Sequence, residues 1–161
     1  MSWIRKIFAA IFIVGTLASI VTISYAMSMY FGAYKVTSLL GVSIQDVKVI
    51  PADSVHASVE TVFSVENPTE FQLKLIYLKE ELYLWNVQNP LGETQKTMYT
   101  NPLHLSAFSS VNTTVKINNV PIDQIGTSSP NRWYIRVRLI VDGVPYLGRV
   151  FLWRSGVYMG E

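Results

Sequence analysis

The sequence predicts a mainly β domain carried behind a single transmembrane helix, and three observations support this. An uninterrupted uncharged run extends from Ile7 to Tyr34 near the amino terminus. Beyond Lys35 the apolar pattern changes to period two, the signature of strands with one buried face. Turn-forming steps at Asn67-Pro68, Gln88-Asn89-Pro90-Leu91-Gly92, Asn101-Pro102 and Asp142-Gly143 then cut the chain into strand-sized pieces.

At about 1.5 Å per residue, a helix over residues 7–34 can cross a hydrocarbon layer of about 30 Å with length to spare. Trp3 at one end and Tyr25, Tyr30 and Tyr34 towards the other are amphipathic aromatics suited to the two interfaces. A cleaved signal peptide is the competing reading, because Ser24-Tyr25-Ala26 presents small residues where a signal peptidase inspects the chain. The apolar run, however, exceeds the roughly 7 to 15 residues of a signal core and continues past that point, which favours an uncleaved signal anchor. Arg5 and Lys6 form the positive flank, so residues 1–6 are expected in the cytoplasm and residues 35–161 outside it; Lys35 opposes that orientation. The expected division is a span over 7–34, a linker over 35–41 and a β domain over 42–161. Gly15, Ala18, Ser19, Thr22 and Ala26 fall on one helix face, where a second helix could approach closely, although small residues are common in any membrane helix. That face makes other membrane-protein subunits the expected partners.

Charge and cysteine content remove several function classes. Arg5 and Lys6 account for the whole excess of 13 basic over 11 acidic residues, leaving the β domain balanced. A nucleic-acid binder would present a basic excess or a recognisable motif, and neither occurs, so no nucleic-acid partner is expected. Without cysteine there is no disulfide framework, thiolate chemistry or cysteine metal site. A domain of about 120 residues can rely on its own apolar core instead.

Strands are expected near 43–50, 54–66, 71–78, 80–87, 93–99, 111–119, 132–142 and 148–154. Val55, Ala57, Val59, Thr61, Phe63 and Val65 alternate inward, as do Val111, Val115 and Ile117. Trp133, Ile135, Val137, Leu139 and Val141 do the same, with Arg132, Tyr134, Arg136, Arg138 and Ile140 on the opposite face. Pro121-Ile122-Asp123-Gln124-Ile125 before Gly126 reads as one or two helical turns.

In this order, Val42, Asp46-Val47, Val55-His56-Ala57, Val65-Glu66-Asn67-Pro68, Leu82-Tyr83-Leu84, Val111, Val115, Pro121-Ile122, Leu139-Ile140-Val141-Asp142 and Leu147-Gly148 form a recognisable set. The set resembles the late embryogenesis abundant (LEA) group 2 family, also called the water-stress-and-hypersensitive-response family, over roughly residues 42 to 158. The resemblance implies an antiparallel β-sandwich of immunoglobulin or fibronectin-like appearance with one short helix. It also implies a non-enzymatic role linked to desiccation and stress, often behind a membrane helix, with lipid held in a groove in some branches.

Chemistry-bearing constellations are scarce. His56 and His104 share no ligand spacing; His56 alternates outward and His104 is read in a turn, so both are expected at the surface. Glu80 and Glu81 are adjacent and therefore point to opposite faces of a strand, which prevents them from acting as a dyad. No metal, cofactor or catalytic residue is expected. Arg132, Arg136 and Arg138 share a face, with Arg149 or Arg154 brought alongside after Asp142-Gly143, forming a patch for anionic headgroups or acidic partners. The plainer reading pairs these arginines with Glu60, Glu66 or Glu70 from neighbouring strands. Tyr83, Trp85 and Val87 are either an exposed apolar stripe or core under a second sheet. Asn112-Thr113-Thr114 is a glycosylation acceptor triplet.

Three functions fit these readings: an anchored structural or accessory subunit of a membrane assembly, a lipid-binding or lipid-transfer module, and a stress-protective protein.

Overall fold

The computed structural model describes residues 2–84, 89–125 and 132–159. In chain order the elements are α1 (Ser2–Leu39), β1 (Gly41–Pro51), β2 (His56–Asn67), β3 (Leu73–Leu84), β4 (Gly92–Thr97), β5 (Leu103–Leu105), β6 (Ser109–Pro121), α2 (Ile122–Ile125), β7 (Arg132–Val144) and β8 (Gly148–Met159). One sheet has the order β1-β2-β6; the other runs β4-β3-β7-β8, with β5 pairing the start of β3. All described pairings are antiparallel.

The period-two pattern forms the core where the sheets face each other. Ala57, Val59, Phe63 and Val65 of β2 meet Leu73, Leu75, Leu78 and Leu82 of β3 and Ile135, Val137, Leu139 and Val141 of β7, all at or near complete burial. Each large side chain buried there contributes about 1.5 to 3 kcal/mol. This is the mainly β sandwich that the sequence predicts, preceded by an apolar helix.

Several boundaries differ from expectation for physical reasons. Over the described residues, the strands expected at 71–78 and 80–87 are one strand, β3, whose register against β7 shifts between Leu75 and Tyr77; residues 85–87 lie outside the described residues. That bulge reverses the inward parity, so one interrupted alternation reads as two strands. Asp142-Gly143 is a bulge inside the β7–β8 pairing, and the chain reverses at Pro145 to Leu147. Gly143 takes φ +86°, and a Cβ there would sit 3.0 Å from the Gln72 carbonyl oxygen, so a side chain is excluded twice over. His104 lies in β5 rather than in a turn, although it is exposed. The turn of helix expected after Pro121 is α2.

Helix α1 runs to Leu39, and Leu40 alone separates it from β1, where a linker over 35–41 was expected. With no proline or charge between Ile7 and Tyr34, nothing breaks the helix early. Residues 3–28 are all exposed, and the helix is long and apolar enough to cross a membrane.

Candidate functional site

The helix meets the sandwich over its last two turns. Ala33, Val36 and Leu40 are buried with the domain core, and Gly32 lets the β2–β3 and β7–β8 loops approach: a Cβ there would meet Phe71 Cζ at 2.9 Å and Pro145 at 3.3 Å. Arg154, on the inward side of β8, donates from Nε to the Leu40 carbonyl at 3.0 Å and from Nη2 to the Thr37 carbonyl at 2.8 Å. These are the helix's terminal acceptors, which have no intrahelical partner, and the guanidinium charge also opposes the negative end of the helix dipole. Lys35 pairs with Glu70 at 2.9 Å on the rim, and this hydrogen bond draws the Glu70 carboxyl below its ordinary pKa. The apolar helix and the domain are therefore joined by buried apolar contacts, a double cap and an ion pair.

Asn67 holds the loops on that side together. Its fully buried amide nitrogen lies 2.7 Å from the Phe71 carbonyl, 2.9 Å from that of Ser106 and 3.2 Å from that of Leu105. Its Oδ1 accepts from Thr69 Oγ1 at 2.7 Å and from the Thr69 N–H at 3.3 Å. A residue readable from sequence as turn punctuation thus ties the β2–β3 loop to the β5–β6 loop. Phe108 N–H extends the link by donating to the Thr69 carbonyl at 3.0 Å.

The outer face of the larger sheet carries Arg136, Arg138 and Arg149 of the predicted arginines. Register places Lys79 beside Arg138 and Trp153, Glu81 beside Arg136 and Ser155, and Tyr83 beside Tyr134 and Val157. Arg138 stacks between Phe151 and Trp153, with Cζ 5.4 and 5.5 Å from the ring centroids. Arg136 lies over Tyr83 at 5.7 Å and 3.7 Å from a Glu81 oxygen, while Arg149 lies 3.9 Å from Asp142 and over Tyr99. Lys79 turns away from Arg138 towards Glu93 at 2.6 Å and Glu81 at 3.3 Å. Arg132 is exposed at the start of β7, and Arg154 is on the other side of β8, at the helix. The cations are thus engaged locally by rings and by Glu81 and Asp142, rather than by Glu60, Glu66 or Glu70.

Glu80 is buried at the centre of the sandwich, where its Oε1 accepts from Thr61 Oγ1 at 2.6 Å and its Oε2 has no partner among the described residues. Burial raises its pKa to about 7, against the lowering effect of the Thr61 bond. Alternation assigned Glu80 and Glu81 to opposite faces, but the inward one could be identified only once the bulge was known.

On the helix, Gly15, Ala18, Ser19, Thr22 and Ala26 are all exposed, and a Cβ on Gly15 would meet nothing within 4 Å. Ser19 and Thr22 donate to the carbonyls of Gly15 and Ala18, so the stripe satisfies its own hydroxyls. Asn112 is exposed on β6. Tyr83 is half-buried on the outer sheet face, whereas Trp85 and Val87 lie outside the described residues. Among the described residues, no three metal-ligating side chains gather for one ion.

No family model matches the sequence, and no curated protein does. Solved structures do resemble the fold. An Arabidopsis thaliana protein with a solution structure aligns with a TM-score of 0.58 at 14% identity, over 74% of this chain and 80% of its own. A protein provisionally described as late embryogenesis abundant aligns at 0.51 and 15% identity, over 92% and 87%. A structural-genomics target aligns at 0.53 and 10% identity, over 74% and 85%. At these identities the likeness concerns the fold: the chain carries a late embryogenesis abundant-like β-sandwich behind one long apolar helix.

Proposed function

We propose that the protein is a non-enzymatic, membrane-anchored β-sandwich domain that serves as a structural or accessory subunit of a membrane-associated assembly. The observation carrying this reading is the junction, where Arg154, Lys35, Ala33, Val36 and Leu40 couple the helix to the sandwich. A helix used only for export or tethering needs no such coupling; one that positions a domain against neighbours does. The positive flank at Arg5 and Lys6 favours an amino terminus in the cytoplasm and a sandwich outside it. The stripe from Gly15 to Ala26 is the face on which a partner helix would pack.

The test is crosslinking mass spectrometry of the full chain in native membranes, with and without Gly15→Leu and Ala18→Leu. The proposal expects reproducible crosslinks to a membrane-protein partner that weaken in the double variant. Crosslinks unchanged by the substitutions, or confined to random neighbours, would contradict it.

Stress protection is a second reading, favoured by the likeness in fold to a protein described as late embryogenesis abundant. A lipid-carrying module has less support. A cleft of about 290 Å³ between β1 and β7–β8 has apolar walls from Val42, Ile44, Ile135, Val137 and Val157 but holds the Arg154 guanidinium, and a cleft of about 600 Å³ along β4 and β5 mixes Met98 and Leu103 with Lys96, Asn101 and His104.

A further inference from the structure

The end of the sandwich nearest the helix displays large apolar side chains at its loop tips. Tyr146 is 76% exposed and Leu147 50% exposed in the β7–β8 turn, and Phe108 is 73% exposed in the β5–β6 turn. Both aromatics have left-handed backbone conformations, with φ +66° at Tyr146 and +53° at Phe108. Asparagine or glycine would adopt that conformation at lower cost, so the geometry places a bulky ring outward where a small residue would serve the turn better. The turns are also pre-shaped: Leu147 N–H donates to the Pro145 carbonyl and Arg149 N–H to the Leu147 carbonyl, each at 2.7 Å. Asn67 fixes the Phe108 turn relative to Phe71.

Position along the helix says what these tips face. Pro145 and Phe71 flank Gly32, five residues beyond Met27, or about 7 Å along a helix axis. If the apolar core of the span ends near Met27, Gly32 lies in the headgroup layer, where Tyr30, Phe31 and Tyr34 of the helix are also exposed. We infer that Phe108, Tyr146 and Leu147 form a second membrane-contact surface, entering the headgroup and upper acyl region of the bilayer beside the anchor. The occupant is the lipid surface itself, because the turn carrying Tyr146 and Leu147 packs through Pro145 against Gly32 of the apolar helix, and Phe108 is bonded to Thr69 in the loop whose Phe71 packs there too. Exposed aromatic and leucine side chains partition favourably into that layer, and the Lys35–Glu70 pair would then sit among the headgroups. This seating rests on the membrane-spanning reading of α1.

The cysteine-free chain allows a direct test. The full-length protein, with single substitutions Phe108→Cys, Tyr146→Cys or Leu147→Cys, is labelled with an environment-sensitive fluorophore and reconstituted into phosphatidylcholine vesicles containing doxyl lipids. Leu17→Cys reports on the span, and Ala52→Cys, exposed in the turn at the far end, reports any insertion driven by the dye itself. The inference expects blue-shifted emission and quenching at least about twofold above Ala52→Cys at all three tips, as for groups within the interface. Quenching at Leu17→Cys with the tips no different from Ala52→Cys would leave the span intact and overturn the seating. No quenching at Leu17→Cys would overturn the spanning reading, and the seating with it.

Discussion

The two ends of the sandwich are built differently. At the helix end, Asn67 draws together two loops, Arg154 and Lys35 fasten the helix, and large apolar side chains stand on the tips. At the far end the β1–β2 turn is closed by Asp53, whose exposed carboxylate accepts the Val55 and His56 N–H groups, bonds that lower its pKa, and α2 presents exposed Asp123 and Gln124. One end fixes its geometry with long-range side-chain hydrogen bonds and buried side chains; the other closes its turn with the exposed Asp53 carboxylate and a backbone bond from Ile122 N–H to the Val55 carbonyl. The positional demand on this domain therefore lies where the apolar helix joins it.

Removing Asn67 should have the largest effect on this contrast. Asn67→Ala leaves three carbonyls and Thr69 without their buried partner and is expected to cost about 2 to 4 kcal/mol in chemical denaturation. Asp53→Ala, at the far end, should leave the midpoint nearly unchanged. Equal losses at both ends would remove the asymmetry.

Glu80 sharpens the comparison because it is at neither end and reports on global unfolding. Its carboxyl is neutral in the folded protein up to about pH 7, whereas the unfolded side chain ionises near the ordinary 4.5. The folded state therefore binds more protons between those values, and stability falls as pH rises through that window, by about 3 kcal/mol in total, levelling above it. Glu80→Gln should flatten this slope in denaturation curves taken from pH 4 to 8. A wild-type protein that gained stability across the same window would contradict the assignment of a buried neutral acid.

Arg154→Ala should have a smaller and more local effect. It removes two bonds to the end of α1 and the dipole-opposing charge, worth about 1 to 2 kcal/mol. Hydrogen exchange should quicken at residues 37–41 while the β2, β3 and β7 amides keep their protection. Uniform acceleration through the core would mean that the junction and the sandwich are one cooperative unit.

The sequence made the strands legible where alternation is unbroken, as in Ala57 to Val65 and Trp133 to Val141, because each inward residue meets the opposite sheet. It failed at residues 71–84, where the bulge near Ile76 changes parity and the charged Lys79-Glu80-Glu81 step looks like a break. The arginine face was readable from alternation, but its partners were not, since Phe151, Trp153 and Glu81 come from neighbouring strands. The junction was least legible. Arg154 reaches carbonyls more than 110 residues earlier in the chain, and no local pattern encodes that contact. Asn67 was conspicuous beside Pro68, yet its role depends on loops that only the assembled fold brings near.

Coupled through Arg154, Lys35 and the buried end of α1, helix and sandwich should move as one body. Double electron–electron resonance measures this most directly on the full chain in nanodiscs, with nitroxides at Ile23→Cys on the helix and Asn112→Cys on β6, both exposed positions. A single narrow distance distribution, broadened by Arg154→Ala, is the predicted result. A broad distribution already present in the wild-type protein would show a flexible tether and rule out this coupling.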